Sequence, residues 1–537
     1  MMKHLLTAAA VCVLCTVSGL SLCTDAKQDA SAAGAPDQIE PAESHWRLFL
    51  DNQFIARSTG FRRVIHHPRP RGIVLEGTEA WEARGVTPLY VGPRKAGGYE
   101  MYYRAHGSYG DFTCYAISED GLKWKKPFIN QVETPAGKEN NVVPCSQPWD
   151  LGQFGNVRDP RKRFAISVEK RPTRRAPIYF GSEPPDILND PNWIDKFVDS
   201  GGFKSASTVS LEFWDDIHQQ WIGMRQAPNH PPVRCTGRYA AGPSLRDWKL
   251  DHFLYPDAED STDPRYFHEA YGMRSVHIEG FVLGFVEWFI GDRTYWKPEF
   301  YEDGQDRNTT EEGLIGKSVS KGTMEVRIVT SWDGGKTWNR TVSRAAWIPH
   351  GKEQDSYDRL VRFGCPPLRR DGEDWFYCTG YDGDHCTGAG YYHDRGQNTI
   401  RATLYTQKHN RYVSLRAGNT RQILITQPIE VTGKMLQLNV DAGHGEVAVA
   451  VGIDKWMKHK TGQWPFQANL PHWMVRDRWG RTHLEKDFHF DDCESVRVDS
   501  IEHEVKFKNA SFESLLGKTV RLYIMVHDAD LYGFRFK

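Results

Sequence analysis

The chain has 537 residues, more than one ordinary core accommodates, so at least two structural units are expected. Its 68 Lys+Arg balance 69 Asp+Glu, which excludes a general electrostatic attraction for nucleic acid or an anionic membrane. The 18 Trp, 22 Tyr and 26 Phe beside 48 Gly and 29 Pro suit short strands joined by turns, and ring surface that stacks on sugar faces; any single ring fits a β core equally well.

Lys3 and His4 precede an apolar run from Leu5 to Leu22 that is short for a membrane span and weakly flanked, so residues 1–23 read as an export signal and not as a transmembrane anchor. Leu20-Ser21-Leu22-Cys23 has the outline of a lipoprotein cleavage box, with bulky Leu22 where a small residue is usual. A cleaved signal and a lipid anchor at Cys23 both stay open, and the expected location is periplasmic, extracellular or at the cell surface. Residues 24–45 are small, polar and aperiodic, which reads as a disordered linker.

Residues 46–415 contain no convincing amphipathic helix; short alternating apolar runs recur between turns. They recur in order: a first strand, an aromatic-rich second, a third, and a closing turn ending in Trp. The units hold 85–105 with 114–124, then 140–145 through 162–170 to 178–193, then 207–226 with 242–248, then 269–289 with 324–338, then 360–381 with 400–415. Five units of unequal length predict radial repetition, an all-β five-bladed β-propeller whose blades cover one another's edges. The segment Leu48–Ala56 is the expected closing strand of the ring, with Asp51 supporting it. Beyond residue 416 the repeat stops. Runs at 436–442, 446–453, 503–508, 519–526 and 531–537 alternate apolar with polar or small residues, which predicts a C-terminal β-sandwich over 416–537, jelly-roll-like in character.

Seven cysteines follow the signal: Cys114, Cys145, Cys235, Cys365, Cys378, Cys386 and Cys493. An odd count over so long a chain is not a disulfide framework, although one bridge between Cys378 and Cys386 is allowed. His385, Cys386 and His393 share a Gly-rich loop without metal-ligand spacing, so no metal is expected, and the absence of a P-loop or GxGxxG leaves no cofactor expected.

Ser331, Asp333, Gly335, Thr337 and Trp338 match the Asp-box of sialidases and other propellers, a hairpin device that speaks for scaffold and not for chemistry. LFLDNQFIA at 48–56, Trp81-Glu82, SEDGLKW at 118–124, FWDD at 213–216 and DADLYGFRF at 528–536 together resemble secreted bacterial proteins placed near the N-terminal domain of glycoside hydrolase family 32, and are similar to five-bladed families such as family 43. The resemblance implies a secreted, exo-acting glycoside hydrolase with a carbohydrate partner. The sequence departs from family 32 in lacking a WMNDPNG-like nucleophile segment and a Glu-Cys pair; Arg158-Asp159-Pro160 matches that family's RDP triplet, whose Asp stabilises the transition state.

Glycosidic cleavage needs a carboxylic acid to protonate the leaving oxygen and a second carboxylate to attack carbon or activate water. First strands of propeller blades line the axial funnel, so acidic residues near their starts are the candidates. Glu82, Glu269 and Asp358 are the expected catalytic set. Trp81 and Tyr266 are candidate sugar platforms; Arg104, His268 and Arg359 would hold hydroxyls, a carboxylate or a sulfate. Asp159, Glu212 and Asp263 complete the set of substrate contacts, with capping of a turn as an alternative for Asp263 and an ion pair with Arg225 as one for Glu212. A non-catalytic carbohydrate-binding propeller would keep the aromatics and basic groups without a working carboxylate pair. A sialidase-like enzyme would need three converging arginines and a tyrosine with a carboxylate partner, for which Arg104, Arg274 and Arg359 are the scattered candidates.

Overall fold

A computed structural model describes residues 45–108, 110–152, 154–168, 176–190, 192–204, 210–227, 234–260, 263, 265–292, 322–340, 344–353, 356–385, 399–453 and 484–537. Among these the regular elements are strands and short 3-10 turns, so the described chain is all-β. None of its helices is long and apolar enough to cross a membrane.

In the body, the described strands fall into five successive antiparallel groups. Group one is Gly85–Pro93, Tyr99–Gly107 and Gly110–Ser118. Group two is Gln147–Asp150, Phe164–Ser167, Ala176–Gly181 and Val198–Lys204. Group three is Ser210–Asp215, Gln220–Gln226, Thr236–Ala241 and Lys249–Leu254. Group four is Tyr266–Ile278, Phe281–Asp292 and Gly322–Ser331. Group five is Leu360–Phe363, Glu373–Tyr381 and Ile400–Lys408. The second unit read from sequence begins differently: its first strand is Gln147–Asp150, and 140–145 pairs only through an isolated bridge of Val142 to Cys114.

Period-two alternation turns these groups into a ring. On the middle strand of group one, Tyr102 packs with Phe164, Ile166 and Trp193 of the second group, while its neighbour Tyr103 packs with Tyr377 and Leu404 of the fifth. Trp221 and Ile222 divide in the same way between groups two and four, as do Phe285 and Val286 between five and three. Successive side chains on a strand point to opposite faces, and every group is therefore wet on neither. Each fully buried large side chain contributes roughly 1.5–3 kcal/mol. Five apolar clusters join the groups consecutively and return from the fifth to the first, the arrangement of a propeller.

The strand that completes the ring is not Leu48–Ala56. Arg69–Leu75 pairs with Ile400–Lys408 and covers the outer edge of group five. Arg47–Leu48 instead pairs with Ala529–Phe536, Ile55–Ser58 with Gln422–Thr426, and Arg62–Ile65 with Val413–Ala417. The N-terminal segment thus belongs to the C-terminal strands, and the strand at 413–417 joins them too. Alternation fixes which face of such a segment is apolar but not which edge it joins. Asp51 still acts as a clamp: it accepts hydrogen bonds from Thr330 Oγ1 and Trp332 Nε1 at 2.8 Å and from Gln53 N at 2.9 Å. The two C-terminal sheets, one containing Leu436–Asp441, Asp499–Glu504 and Ala529–Phe536 and the other Glu446–Ile453 and Thr519–His527, share one apolar core that includes Val449, Ile524, Leu531 and Phe534.

The turn at 331–338 ties groups together. Ser331 Oγ accepts from Gly335 N at 2.8 Å, Asp333 accepts from the Thr337 backbone at 2.9 Å and hydroxyl at 2.6 Å, and Gly334 takes φ +71° where a side chain would meet the Asp215 carboxylate. Arg238 then donates to Gly334 O at 2.8 Å. The turn at 118–124 repeats the pattern, with Ser118 Oγ accepting from Gly121 N at 2.8 Å and Tyr377 OH donating to Gly121 O at 2.8 Å.

Glu100 is buried between groups one and two. Its Oε2 accepts from Tyr115 OH at 2.8 Å, its Oε1 has no partner, and burial pushes its pKa up to about 8. The folded state therefore binds this proton more tightly than the unfolded chain. The stability this provides is present below the ordinary carboxylate range and is lost as pH rises toward about 8. The denaturation midpoint is expected to fall over that window and to flatten above it, and Glu100→Gln is expected to remove the slope; an unchanged slope in the variant would assign it to other groups.

Candidate active site

The first strands of groups one to four, and the segment that follows the first strand of group five, converge on one narrow cavity. It is lined by Tyr90 and Val91, by Gln147 to Leu151, by Leu211 and Glu212, by Arg274 and Ser275, and by Pro366 to Leu368. Its volume, about 30 Å³, holds a water or two and no sugar ring. Phe154 lines it and packs with Trp46, Leu48 and Leu50. Within it Glu212 accepts from Ser275 N at 2.8 Å and pairs with Arg274 at 3.4 Å; burial raises its pKa, opposed by the Arg274 charge.

Beyond this cavity lies the end of the ring where the first strands begin. Register locates that end: Glu269 faces Phe289, Phe289 faces Met324, Met324 faces Leu360, Leu360 faces Tyr381, Tyr381 faces Ile400, and Ile400 faces Gly85. Two parallel pairings, Met324 with Leu360 and Ile400 with Gly85, stitch groups four, five and one together at this level. A Cβ on Gly85 would meet Ile400 O at 2.0 Å, so only glycine permits the second.

A cluster of charge and phenol sits on this belt. A β-bulge between Ala270 and Gly272 displaces Tyr271, and bulges re-aim side chains in this way. Gly272 faces Glu287 across the ladder, so Glu269 and Glu287 share one sheet face as diagonal neighbours, a relation that in a regular ladder corresponds to roughly 7–8 Å. Arg234, from the second hairpin of group three, lies 3.5 Å from Glu269 and donates its backbone N to Oε1 at 3.2 Å. Arg362, from the first strand of group five, meets Glu287 Oε2 at 3.0 Å. Both guanidinium groups lie against the Tyr271 ring, at 4.9 and 5.8 Å from its centroid, and the Tyr271 hydroxyl is 3.3 Å from His385 Nε2. The carboxylates are the buried members, with side chains 9% and 8% exposed, whereas Arg234 and Arg362 are 34% and 39% exposed. Burial raises the Glu269 pKa, with Arg234 opposing.

Of the residues expected from sequence, Glu269 lies in this cluster and Glu212 in the cavity beneath. The others are elsewhere. Glu82 is fully buried in the core between groups one and five, where Tyr103 OH and Lys126 Nζ each approach to 2.5 Å and the backbone N–H groups of Thr78 and Glu79 donate at 2.9 and 3.1 Å. It caps the 3-10 turn Ala80–Glu82 and meets no solvent. Trp81 is in the same core and donates Nε1 to Asn141 at 3.2 Å, so it offers no open face. Asp159 caps the turn Pro160–Lys162 and accepts from Arg161 N and Nε at 3.0 Å; Asp263 does likewise for Arg265, which holds its pKa down at about 2. Both are turn carboxylates. Tyr266 is covered by Arg265, 5.5 Å from its centroid. His268 accepts from Trp288 Nε1 at 2.8 Å, and burial beside Arg327 lowers its pKa to about 4, a neutral packing histidine. Asp358 is bonded by the Ser356 hydroxyl, and Arg359 is held by Asp384 at 2.5 Å and Gly351 O at 3.1 Å; both shape the turn that precedes group five. Arg104 faces Thr87 on group one, near Asp111, and Arg274 is at the axis while Arg359 is not. Cys386 and His393 lie outside the described residues; Cys378 is a buried free thiol.

Glu287, Arg362, Arg234 and Tyr271 were not singled out from sequence. The available signal was a lone charge inside an apolar central strand, Glu287 in FVLGFVEWF and Arg362 in LVRF. Buried charge in such a run requires a partner, and each of these is the other's.

No family model matches the chain, and no curated protein matches it. Solved structures that resemble it include the catalytic domain of the Coprinopsis cinerea GH62 α-L-arabinofuranosidase, at 13% identity and a TM-score of 0.38 over 64% of this chain and 97% of that one. A Podospora anserina α-L-arabinofuranosidase in complex with cellotriose gives 11% and 0.36 over 64% and 98%. A Phanerochaete chrysosporium exo-β-1,3-galactanase with β-1,3-galactotriose gives 9% and 0.32 over 88% and 99%.

Proposed function

We propose that this chain is a glycoside hydrolase acting at the end of the ring where the first strands begin, with Glu269 as general acid and Glu287 as its carboxylate partner. The observation that carries this reading is the pair itself: two nearly buried carboxylates on one sheet face, in different electrostatic settings. Burial favours the protonated form of Glu269, and Glu287 is held by the Arg362 guanidinium at 3.0 Å. A separation near that of diagonal neighbours suits an acid and a carboxylate acting on one bond. Glu269 gives its proton to the glycosidic oxygen as the bond from the anomeric carbon breaks. Glu287 either bonds that carbon and is then displaced by water, or takes a proton from the attacking water; in both routes one water is consumed.

Exo-action, the release of terminal sugars from a chain end, is part of this proposal. Reading each strand group as one blade gives a five-bladed propeller, with the C-terminal sheets as an attached sandwich. Residues 1–23 as an export signal, cleaved or lipidated at Cys23, would place the enzyme outside the cytoplasm with its polysaccharide.

The test is turnover of a panel of oligosaccharides and aryl glycosides by purified protein lacking residues 1–44, with product analysis. Release of terminal sugars is expected. Binding of glycans without any cleavage would favour a carbohydrate-binding propeller instead.

A further inference from the structure

We propose that Thr87, His106 and Asp111 form a second catalytic site on the first strand group, a nucleophile, its base and the orienter of that base, which hydrolyses a short acyl ester carried on a sugar hydroxyl. That the ester sits on a sugar rests on the carbohydrate reading above. The chain of contacts carries the inference. Thr87 Oγ1 is 3.1 Å from His106 Nε2, and His106 Nδ1 is 3.1 Å from Asp111 Oδ1. Burial pushes the Asp111 carboxyl up, but the His106 hydrogen bond and the nearby Arg104 and Arg84 charges outweigh it and hold the group below its ordinary range. An ionised carboxylate only accepts, which in the neutral imidazole places the proton on Nδ1 and leaves Nε2 bare. Thr87 therefore donates its hydroxyl proton to Nε2, the connection that turns a hydroxyl into a nucleophile when the base takes that proton.

The backbone fixes this relay. Its members come from Gly85–Pro93, Tyr99–Gly107 and Gly110–Ser118, three successive strands of one antiparallel ladder. Asp111 faces His106 directly, and alternation puts Thr87, diagonal to His106, on the same sheet face. Directly opposite His106 on the first strand is Gly85, which offers the ring no side chain, and the imidazole meets Thr87 instead. The relay is not sealed in the core: the Asp111 and His106 side chains are 46% and 20% exposed, and Thr87 is partly exposed. Thr87 also stands two residues from Gly85, which faces Ile400, on the strand whose next stretch, Leu89 to Pro93, lines the axial cavity.

Thr87 Oγ1 bonds the ester carbonyl carbon as its proton passes to His106 Nε2. His106 gives that proton to the departing sugar oxygen, leaving the acyl group on Thr87. Water then attacks the acyl carbon and yields a proton to His106, which returns it to Thr87 Oγ1 as the free acid leaves. Each turnover consumes one ester and one water.

The experiment follows acetate released from acetylated xylo-oligosaccharides, and 4-nitrophenol released from 4-nitrophenyl acetate, by the purified full-length protein. Mass spectrometry of the peptide containing Thr87 after exposure to a fluorophosphonate supplies a readout apart from turnover. Acetate release is expected from the oligosaccharides, with Thr87→Val and His106→Gln each losing about 100-fold or more in kcat/KM at an unchanged denaturation midpoint. Asp111→Asn is expected to lose about tenfold or more, because the imidazole is no longer held in the required tautomer. Thr87→Ser is expected to keep the activity, and the fluorophosphonate to label Thr87 in wild type but not in His106→Gln. Ester cleavage that is unchanged in Thr87→Val, or a label that falls elsewhere, would make the three side chains a tie between strands and overturn the inference. Thr87-dependent cleavage of 4-nitrophenyl acetate with none of the oligosaccharides would overturn the sugar-borne substrate. Thr87-dependent ester cleavage in a protein that cleaves no glycoside would overturn the hydrolase reading and leave this site standing; glycoside cleavage without any ester cleavage would do the reverse.

Discussion

Glu269→Gln is expected to lower kcat by about 10²–10⁴-fold on substrates whose leaving group is a sugar alkoxide, with KM changed little, because glutamine keeps the volume but has no proton to give. On aryl glycosides with an acidic phenol the loss is expected to be much smaller, since a good leaving group departs unprotonated. Glu287→Gln is expected to be severe on both, because attack or water activation is needed whatever leaves. This contrast separates the two roles in a way a loss of stability cannot. If both variants lose activity in parallel across leaving groups, and in proportion to the fraction unfolded, the two carboxylates are structural. The acid role also fixes the pH limb: activity is expected to fall as pH rises through a Glu269 pKa that burial has raised, and Glu269→Gln is expected to abolish that limb.

The second large effect is on stability and falls on a residue that sequence reading places among the catalytic acids. Glu82→Ala is expected to cost about 3–5 kcal/mol, read as a shift of the denaturant midpoint, because it removes the counterion of a nearly buried Lys126 and the acceptor of two backbone N–H groups. Turnover per folded molecule is expected to be unchanged. Loss of kcat in folded protein, with the midpoint unmoved, would return Glu82 to the chemistry.

Glu82 shows why part of the site was legible and part was not. Selecting acidic residues near strand starts includes Glu269, which lies in the charged cluster, and Glu212, which lines the cavity. That selection could not tell a carboxylate facing the axis from one turned into the core between two groups, because that depends on how a 3-10 turn enters the strand. Glu82 and Trp81 sit in such a turn, and Asp159 and Asp263 sit in turns that they cap themselves. Glu287, Arg362 and Arg234 come from a second strand, a short first strand and a hairpin, positions that only the folded ring brings together.

The scaffold was more legible for a related reason. Alternation within a strand is local, and the Tyr102–Tyr103 and Trp221–Ile222 pairs turn it directly into packing on two neighbours. The partner of an edge strand is not local. Arg69–Leu75 completing group five, and Arg47–Leu48 joining Ala529–Phe536, are pairings between residues hundreds of positions apart, which no single run announces.

The most direct test of the carboxylate pair is steady-state turnover of one cleaved oligosaccharide by wild type, Glu269→Gln, Glu287→Gln and Glu82→Ala under a single set of conditions. The first two variants are expected to lose at least 100-fold in kcat while remaining folded, and the third to keep wild-type kcat per folded molecule. Full turnover in both Glu269→Gln and Glu287→Gln would contradict the assignment.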